Sequence, residues 1–194
     1  MRAGVLGGTF DPVHNGHLAL AAAARDYFRL DLVLFVPAGQ PWRKTREITP
    51  AEHRLAMLRL AIAGNDTFGI SELELRRSGP TYTADTVDAL ASERLDDEFW
   101  FIAGADALAD LPNWKEPGRI ARHAIIAVAP RNGADIERAV AAVPSLAGRI
   151  EAFPLSEVDV SSTEVRRCVA EGEPIDEMVP AGVAAYIRKR QLYH

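Results

Sequence analysis

A single cysteine, Cys168, occurs in the 194 residues. No disulfide can form within the chain, which fits a reducing compartment. Cys168 reads as a small buried apolar residue on a helix. Long hydrophobic runs are lacking. The longest, Leu32 to Ala38, falls far short of the ~20 residues that a membrane-spanning helix needs. The opening Met1-Arg2-Ala3-Gly4 has no apolar core of the kind a secretory signal carries. These absences point to a cytoplasmic protein. No excess of positive charge exists either: 22 Lys and Arg against 27 Asp and Glu give a net charge of −5. That argues against non-specific binding to nucleic acid or anionic membranes, so any polyanion site must be a local basic cluster. Repeats, low-complexity tracts and domain linkers are also missing. One domain over residues 1–194 is expected, with a helical C-terminal part from about 161 to 194. What is present is ordinary globular composition, 48% apolar and 25% charged, in a chain long enough to bury a full core.

Short apolar runs alternate with helical segments. Residues 3–6 (AGVL) and 32–36 (LVLFV) read as buried strands, and the alanine-rich stretch 17–28 between them reads as a helix. Strand, helix and strand in about thirty residues make a βαβ unit with parallel strands. Thr49-Pro50-Ala51-Glu52 has the form of a capping box with proline at the first helical position, opening a helix to Ile62. Residues 67–75 (TFGISELEL) read as a strand, Thr83 to Leu95 as a helix, and 98–102 and 124–129 as further strands. Residues 134–143 read as helical and 149–153 as a short strand. Ser161-Ser162-Thr163-Glu164 forms another capping box, and Pro180 opens a final helix. This alternation predicts an α/β fold with a doubly wound parallel sheet.

The densest cluster of chemistry is Gly7-Gly8-Thr9-Phe10-Asp11-Pro12-Val13-His14-Asn15-Gly16-His17, between the first strand and the first helix. In such sheets ligands bind at the carboxyl ends of the strands. Gly7 and Gly8 allow close approach of backbone to ligand, and the helix start offers N–H groups and a positive dipole end to phosphates. His14 and His17, three apart, share a helical face. Together they make a polyphosphate site. Two other readings stay open here: a plain turn with incidental histidines, or a metal site, although no further His or Cys cluster supports the latter. Neither G-x-x-x-x-G-K-[ST] nor G-x-G-x-x-G occurs in the chain.

Further candidates lie downstream. If the strand order reverses between the first and fourth strands, their carboxyl ends flank one crevice, and Asp106 comes beside His14 and His17. A carboxylate there suits a ribose hydroxyl pair; a helix N-cap is its plain alternative. Trp114 follows Asn113, which reads as an N-cap with unpaired N–H groups beyond it. An indole face beside such donors suits a pyridinium ring bearing a carboxylate, the alternative being a core tryptophan. The Thr83 hydroxyl is a further donor if its loop folds over the same crevice. Ser162, Thr163 and Arg166 form a second anion site at a helix start, with Ser161 as its cap.

The stretch His14-Asn15-Gly16-His17 resembles the H-x-G-H signature of a nucleotidyltransferase superfamily. Three more stretches resemble motifs of bacterial nicotinate-nucleotide adenylyltransferases: Gly79-Pro80-Thr81-Tyr82-Thr83-Ala84-Asp85-Thr86; Gly104-Ala105-Asp106-Ala107-Leu108 with Leu111-Pro112-Asn113-Trp114; and Val160 through Arg166. The basic loop Gln40-Pro41-Trp42-Arg43-Lys44 resembles the loop these enzymes place near the phosphates. Pro130-Arg131-Asn132-Gly133 departs from the family's Arg-Pro-Gly, so Arg131 is given no role.

The resemblance implies a Rossmann-like sheet and adenylyl transfer from ATP to nicotinic acid mononucleotide. His14, His17, Lys44 and Arg166 would be catalytic. Gly8, Thr9, Phe10, His17, Asp106, Ser162, Thr163 and Arg166 would hold ATP. Thr83, Trp114, Lys115 and Lys44 would hold the mononucleotide. Mg2+ would accompany ATP, with no protein ligand assigned. The partners implied are these two small molecules, without nucleic acid or membrane; a homo-oligomer stays open. Another adenylyl- or cytidylyltransferase of the superfamily, or a nucleotide-binding sensor with little turnover, are the alternatives.

Overall fold

The computed structural model describes residues 1–41, 47–129, 134–156 and 158–194. In chain order the elements are β1 (Arg2–Gly8), α1 (Asn15–Phe28), β2 (Leu32–Pro37), β3 (Gln40–Pro41), α2 (Ala51–Ile62), β4 (Phe68–Ile70), α3 (Leu73–Arg76), β5 (Pro80–Thr81) and α4 (Thr83–Glu93). Then come β6 (Glu98–Gly104), α5 (Ala105–Asp110), α6 (Pro117–His123), β7 (Ala124–Ala129), α7 (Ala134–Ala142), β8 (Ile150–Ala152), α8 (Ser162–Ala170) and α9 (Ala181–Arg190). Short 3-10 turns cover Leu111–Asn113 and Pro144–Leu146.

The strand sequences place residues alternately on two faces. Leu6, Val33, Phe35, Trp100 and Ile102 join one apolar cluster with residues of α1, α2, α8 and α9. Val5, Leu34, Val36, Phe99 and Phe101 join a second with residues of α4, α5, α6 and α7. A sheet apolar on both faces must be covered on both, and parallel strands permit this because their connections are helices. The six-stranded sheet runs β4-β2-β1-β6-β7-β8, with every pair parallel. This is the doubly wound, Rossmann-like α/β arrangement. The order reverses between β1 and β6, which puts the crevice at their carboxyl ends.

Three local expectations are corrected. The predicted strand 67–75 is paired only over Phe68–Ile70; Leu73–Arg76 winds into α3. There Glu74 is buried and accepts the Thr86 hydroxyl at 2.7 Å, an anchor that alternation along a strand could not reveal. Thr49 does not cap α2: the N-cap is Pro50, without a side-chain bond, and the Thr49 carbonyl accepts from Arg54 Nε instead. Nor does Asn113 start a helix. It ends a 3-10 turn, and Glu116, in the left-handed region, precedes α6.

A small parallel pair, β3 with β5, draws the start of the acceptor motif to the end of β2. Gly39 makes this possible. A Cβ there would lie 2.2 Å from the Glu74 carbonyl oxygen, and backbone cannot yield to that overlap.

Candidate active site

The signature loop leaves the carboxyl end of β1 and is gathered by partners from far along the chain. Phe10 takes a left-handed φ of 49°, unusual for a bulky residue, and its ring packs edge-on to His17 with centroids 5.0 Å apart. Ser162 Oγ donates to the Pro12 carbonyl at 2.8 Å, and Arg166 Nη1 donates to the Asp11 carbonyl at 2.7 Å. Asn15 donates from Nδ2 to the Glu177 carbonyl and from its backbone N–H to the Met178 carbonyl. With the Tyr193 hydroxyl, which donates to Asp11 Oδ1, five hydrogen bonds among the described residues fasten the loop to the C-terminal part.

His14 is the N-cap of α1 and His17 stands three positions on. Their rings lie 3.7 Å apart between centroids, and the His14 N–H donates to His17 Nδ1 at 3.3 Å. A Cβ on Gly16 would touch the His14 ring at 3.1 Å and Val160 at 3.2 Å, so the glycine between the histidines makes room for the first of them. Burial pushes His14 down to about 4. His17 is lowered well below its ordinary value by burial and then by His14. Both imidazoles are therefore neutral around pH 7, and each has one N–H to donate. His14 Nδ1 is buried with no partner among the described residues, a polar atom left for a ligand or water to satisfy.

Arg166, one turn into α8, also donates from Nη2 to Thr163 Oγ1 at 3.2 Å. Ser161 accepts the Glu164 N–H and is the helix cap. The Ser162 hydroxyl, expected to face phosphate, donates to the Pro12 carbonyl in this structure. Asp106 lies exposed in the first turn of α5, whose N-cap is Gly104; it is not the cap. Gly8, Thr9 and Phe10 line the exit of β1.

The segments expected to bind the acceptor also meet. Lys115 Nζ stands 4.2 Å from the Tyr82 ring centroid and 3.9 Å from Asp85, and Arg119 pairs with Asp85 at 3.0 Å and with Asp88. These contacts tie the residues after Trp114 to the start of α4, where Thr83 is the first helical residue. Half-buried Trp114 packs edge-on to Phe101 at 5.7 Å and donates from Nε1 to Asp110 at 3.1 Å. Its N–H is taken by the Leu111 carbonyl, so the expected free donors do not begin at Trp114. Lys44 and Arg131 lie outside the described residues.

Three residues of this neighbourhood escaped the sequence reading: Arg54, Tyr193 and the carboxylate of Asp11. Arg54 precedes the fully buried Met57 and Leu58 by three and four positions, so helical spacing alone placed it on the inward face. Nothing local marked Tyr193, whose hydroxyl donates to Asp11 Oδ1 at 2.8 Å.

Residues 5–168 match the sequence model of the cytidylyltransferase-like family. A Thermomicrobium roseum protein described as a "probable nicotinate-nucleotide adenylyltransferase" is 46% identical over 99% of this chain and 91% of its own length. A Roseiflexus protein of the same description is 47% identical over 98% and 96%. The chain belongs to the nicotinate-nucleotide adenylyltransferase family. Its fold is also that of a solved Plasmodium falciparum nicotinic acid mononucleotide adenylyltransferase complexed with NaAD. The TM-score is 0.81 at 20% identity, over 99% of this adenylyltransferase-family chain and 97% of the other.

Among the described residues no cluster of three or more His, Cys, Asp or Glu could cage a metal ion. No helix among them is long and apolar enough to cross a membrane.

Proposed function

We propose that this chain joins the adenylyl group of ATP to the phosphate of nicotinic acid mononucleotide, giving nicotinic acid adenine dinucleotide and pyrophosphate, a step of NAD biosynthesis. The observation that carries the reaction class is the contact of His14 and His17 at the switch-point end of α1. The kinship over nearly the whole chain supports the acceptor. A phosphate oxygen of the mononucleotide attacks the α-phosphorus of ATP in line, and the bond to the pyrophosphate oxygen breaks. Phosphomonoesters have a second pKa near 6 (about −1.5 to −2 charge at pH 7), so the nucleophile needs no general base. Catalysis is then alignment and charge stabilisation.

In this reading His14 and His17 donate to the ATP phosphates from their neutral forms. The approaching anion favours protonation, so binding opposes their lowered pKa. Arg166 and Lys44 supply permanent charge. Gly8, Thr9 and Phe10 border the nucleotide, Thr163 adds a hydroxyl, and Asp106 accepts from the ribose. Trp114 stacks on the pyridine ring, with the Lys115 N–H and Thr83 as donors to its carboxylate. Mg2+ would come with ATP, no residue of this chain being assigned as its ligand, and would supply neutralisation of phosphate charge. The single cysteine and the substrates favour the cytosol, and one domain over 1–194 contains all these parts, its helical end at 161–194 included.

Pyrophosphate release from ATP, measured with nicotinic acid mononucleotide, nicotinamide mononucleotide, phosphopantetheine and glycerol phosphate, tests the reading. The nicotinate compound should give the highest kcat/KM. Turnover with another acceptor instead moves the chain to another branch, and none with any acceptor leaves a nucleotide-binding sensor.

A further inference from the structure

Arg54, on α2, is 2% exposed, and its guanidinium reaches three backbone carbonyls from three separate places. Nε donates to Thr49 at 2.9 Å, Nη1 to Thr9 at 2.8 Å and Nη2 to Ala38 at 2.9 Å. Thr9 opens the turn that carries Phe10 through His14. Ala38 follows β2, and Thr49 lies just before the Pro50 cap of α2. One planar cation therefore joins the signature loop to the end of the neighbouring strand and to the start of a helix. Burial lowers the Arg54 pKa, opposed by the charge of Asp11. Asp11 is 1% exposed, and its carboxylate is held by the Tyr193 hydroxyl.

Stability alone does not account for this. Buried ionic groups can often be exchanged for apolar residues of similar volume without loss, and Met57 and Leu58 beside Arg54 already supply an apolar α2 face. Carbonyls are also weak partners for a desolvated cation compared with a carboxylate fork. What the arrangement does supply is geometry: a rigid donor fork fixes three oxygens in one plane. One of those oxygens, that of Thr9, belongs to the loop that carries His14 and His17.

We propose that Arg54 is a positioning residue for adenylyl transfer. It sets the signature loop against β2 and α2, so that the two imidazoles meet the phosphates in register, with Asp11 and Tyr193 as its counter-charge and brace. This rests on the reading of the chain as an adenylyltransferase.

The test compares kcat and KM per folded molecule for Arg54→Met, Arg54→Lys and Tyr193→Phe, with a thermal melt of each. Misplacement of reacting groups by about 1 Å can cost roughly 10²-fold. Arg54→Met should lose on the order of 10²-fold in kcat with the acceptor KM changed less than threefold, and Arg54→Lys should recover part of it. Tyr193→Phe, which removes one hydroxyl, should lose several-fold in kcat with a melting temperature near the parent's. A purely structural arginine would lower the melting temperature and the folded fraction, leaving kcat per folded molecule unchanged. That result in Arg54→Met overturns the proposal; if Arg54→Met does not fold, the same result in both other variants does. A parent protein that does not turn over nicotinic acid mononucleotide removes the underlying reading instead, so the two failures are distinguishable.

Discussion

His14 stays neutral in the folded chain down to about pH 4, whereas an unfolded chain protonates histidine near 6.5. Between those values the unfolded state binds more protons, so stability rises with pH. The contribution is complete above about 6.5 and is lost as pH falls toward 4. For a shift of this size it amounts to about 3 kcal/mol, and His17 shifts in the same direction. Thermal melts across pH 7.5 to 4.5 should therefore show a steeper decline in the parent than in His14→Gln; parallel declines would remove burial of this imidazole as the cause. Activity separates from stability at the neighbouring ring. His17→Ala should lower turnover by roughly 10²-fold, as loss of a preorganised transition-state donor does. Its melting temperature should stay near the parent's, because Phe10 and Val13 remain to fill the loop's apolar side. A large drop in melting temperature with full turnover per folded molecule would make His17 a packing residue only.

At the scale of elements, contacts join the α4 start to the segment after Trp114, where the acceptor is proposed to bind. Trp114→Ala should raise KM for nicotinate and nicotinamide mononucleotides alike, because it removes stacking that both rings use. Thr83→Val should mainly erode preference for the nicotinate, whose carboxylate is a pure acceptor. Parallel kcat/KM values decide this, and equal values for the two acceptors in the parent would end the proposed recognition. The elements also explain what the sequence could disclose. Val33, Phe35, Trp100 and Ile102 announce their strands because a sheet covered on both faces needs continuous apolar runs. The two-residue β3 and β5 carry no such run. Residues 72–75, the end of the expected strand 67–75, read as strand because Leu73 and Leu75 alternate with charges, yet the partner of Glu74 is Thr86, twelve residues away. The caps expected at Thr49 and Asn113 are displaced by local geometry: Pro50 takes the N-cap of α2, and a 3-10 turn claims the N–H after Asn113. Ser161, whose partner is three residues on, was read correctly.

Over the whole molecule, the C-terminal part shares one core with the sheet. Val165, Cys168, Val169, Ile175, Val179, Val183, Ala184 and Ile187 are buried in the cluster that contains Leu6, Phe35 and Trp100. Each large aliphatic side chain so buried contributes about 1.5–3 kcal/mol, against a domain stability of only about 5–15 kcal/mol. A chain ending at residue 160 should therefore lack a cooperative thermal transition and bind a dye for exposed apolar surface; a sharp melt near the parent's temperature would show the part to be dispensable. This dependence was only half legible. The capping box at Ser161 marks the start of α8 and Pro180 that of the final helix, but no pattern in the sequence discloses the hydrogen bonds that tie this part to the signature loop. Those ties are Ser162 to Pro12, Arg166 to Asp11, Asn15 to Glu177 and Met178, and Tyr193 to Asp11. Since ribosomes build chains from the amino end, the eleven residues of the signature loop, Gly7 to His17, are made before the residues that brace them, and the loop is finished only when Ser162, Arg166 and Tyr193 arrive.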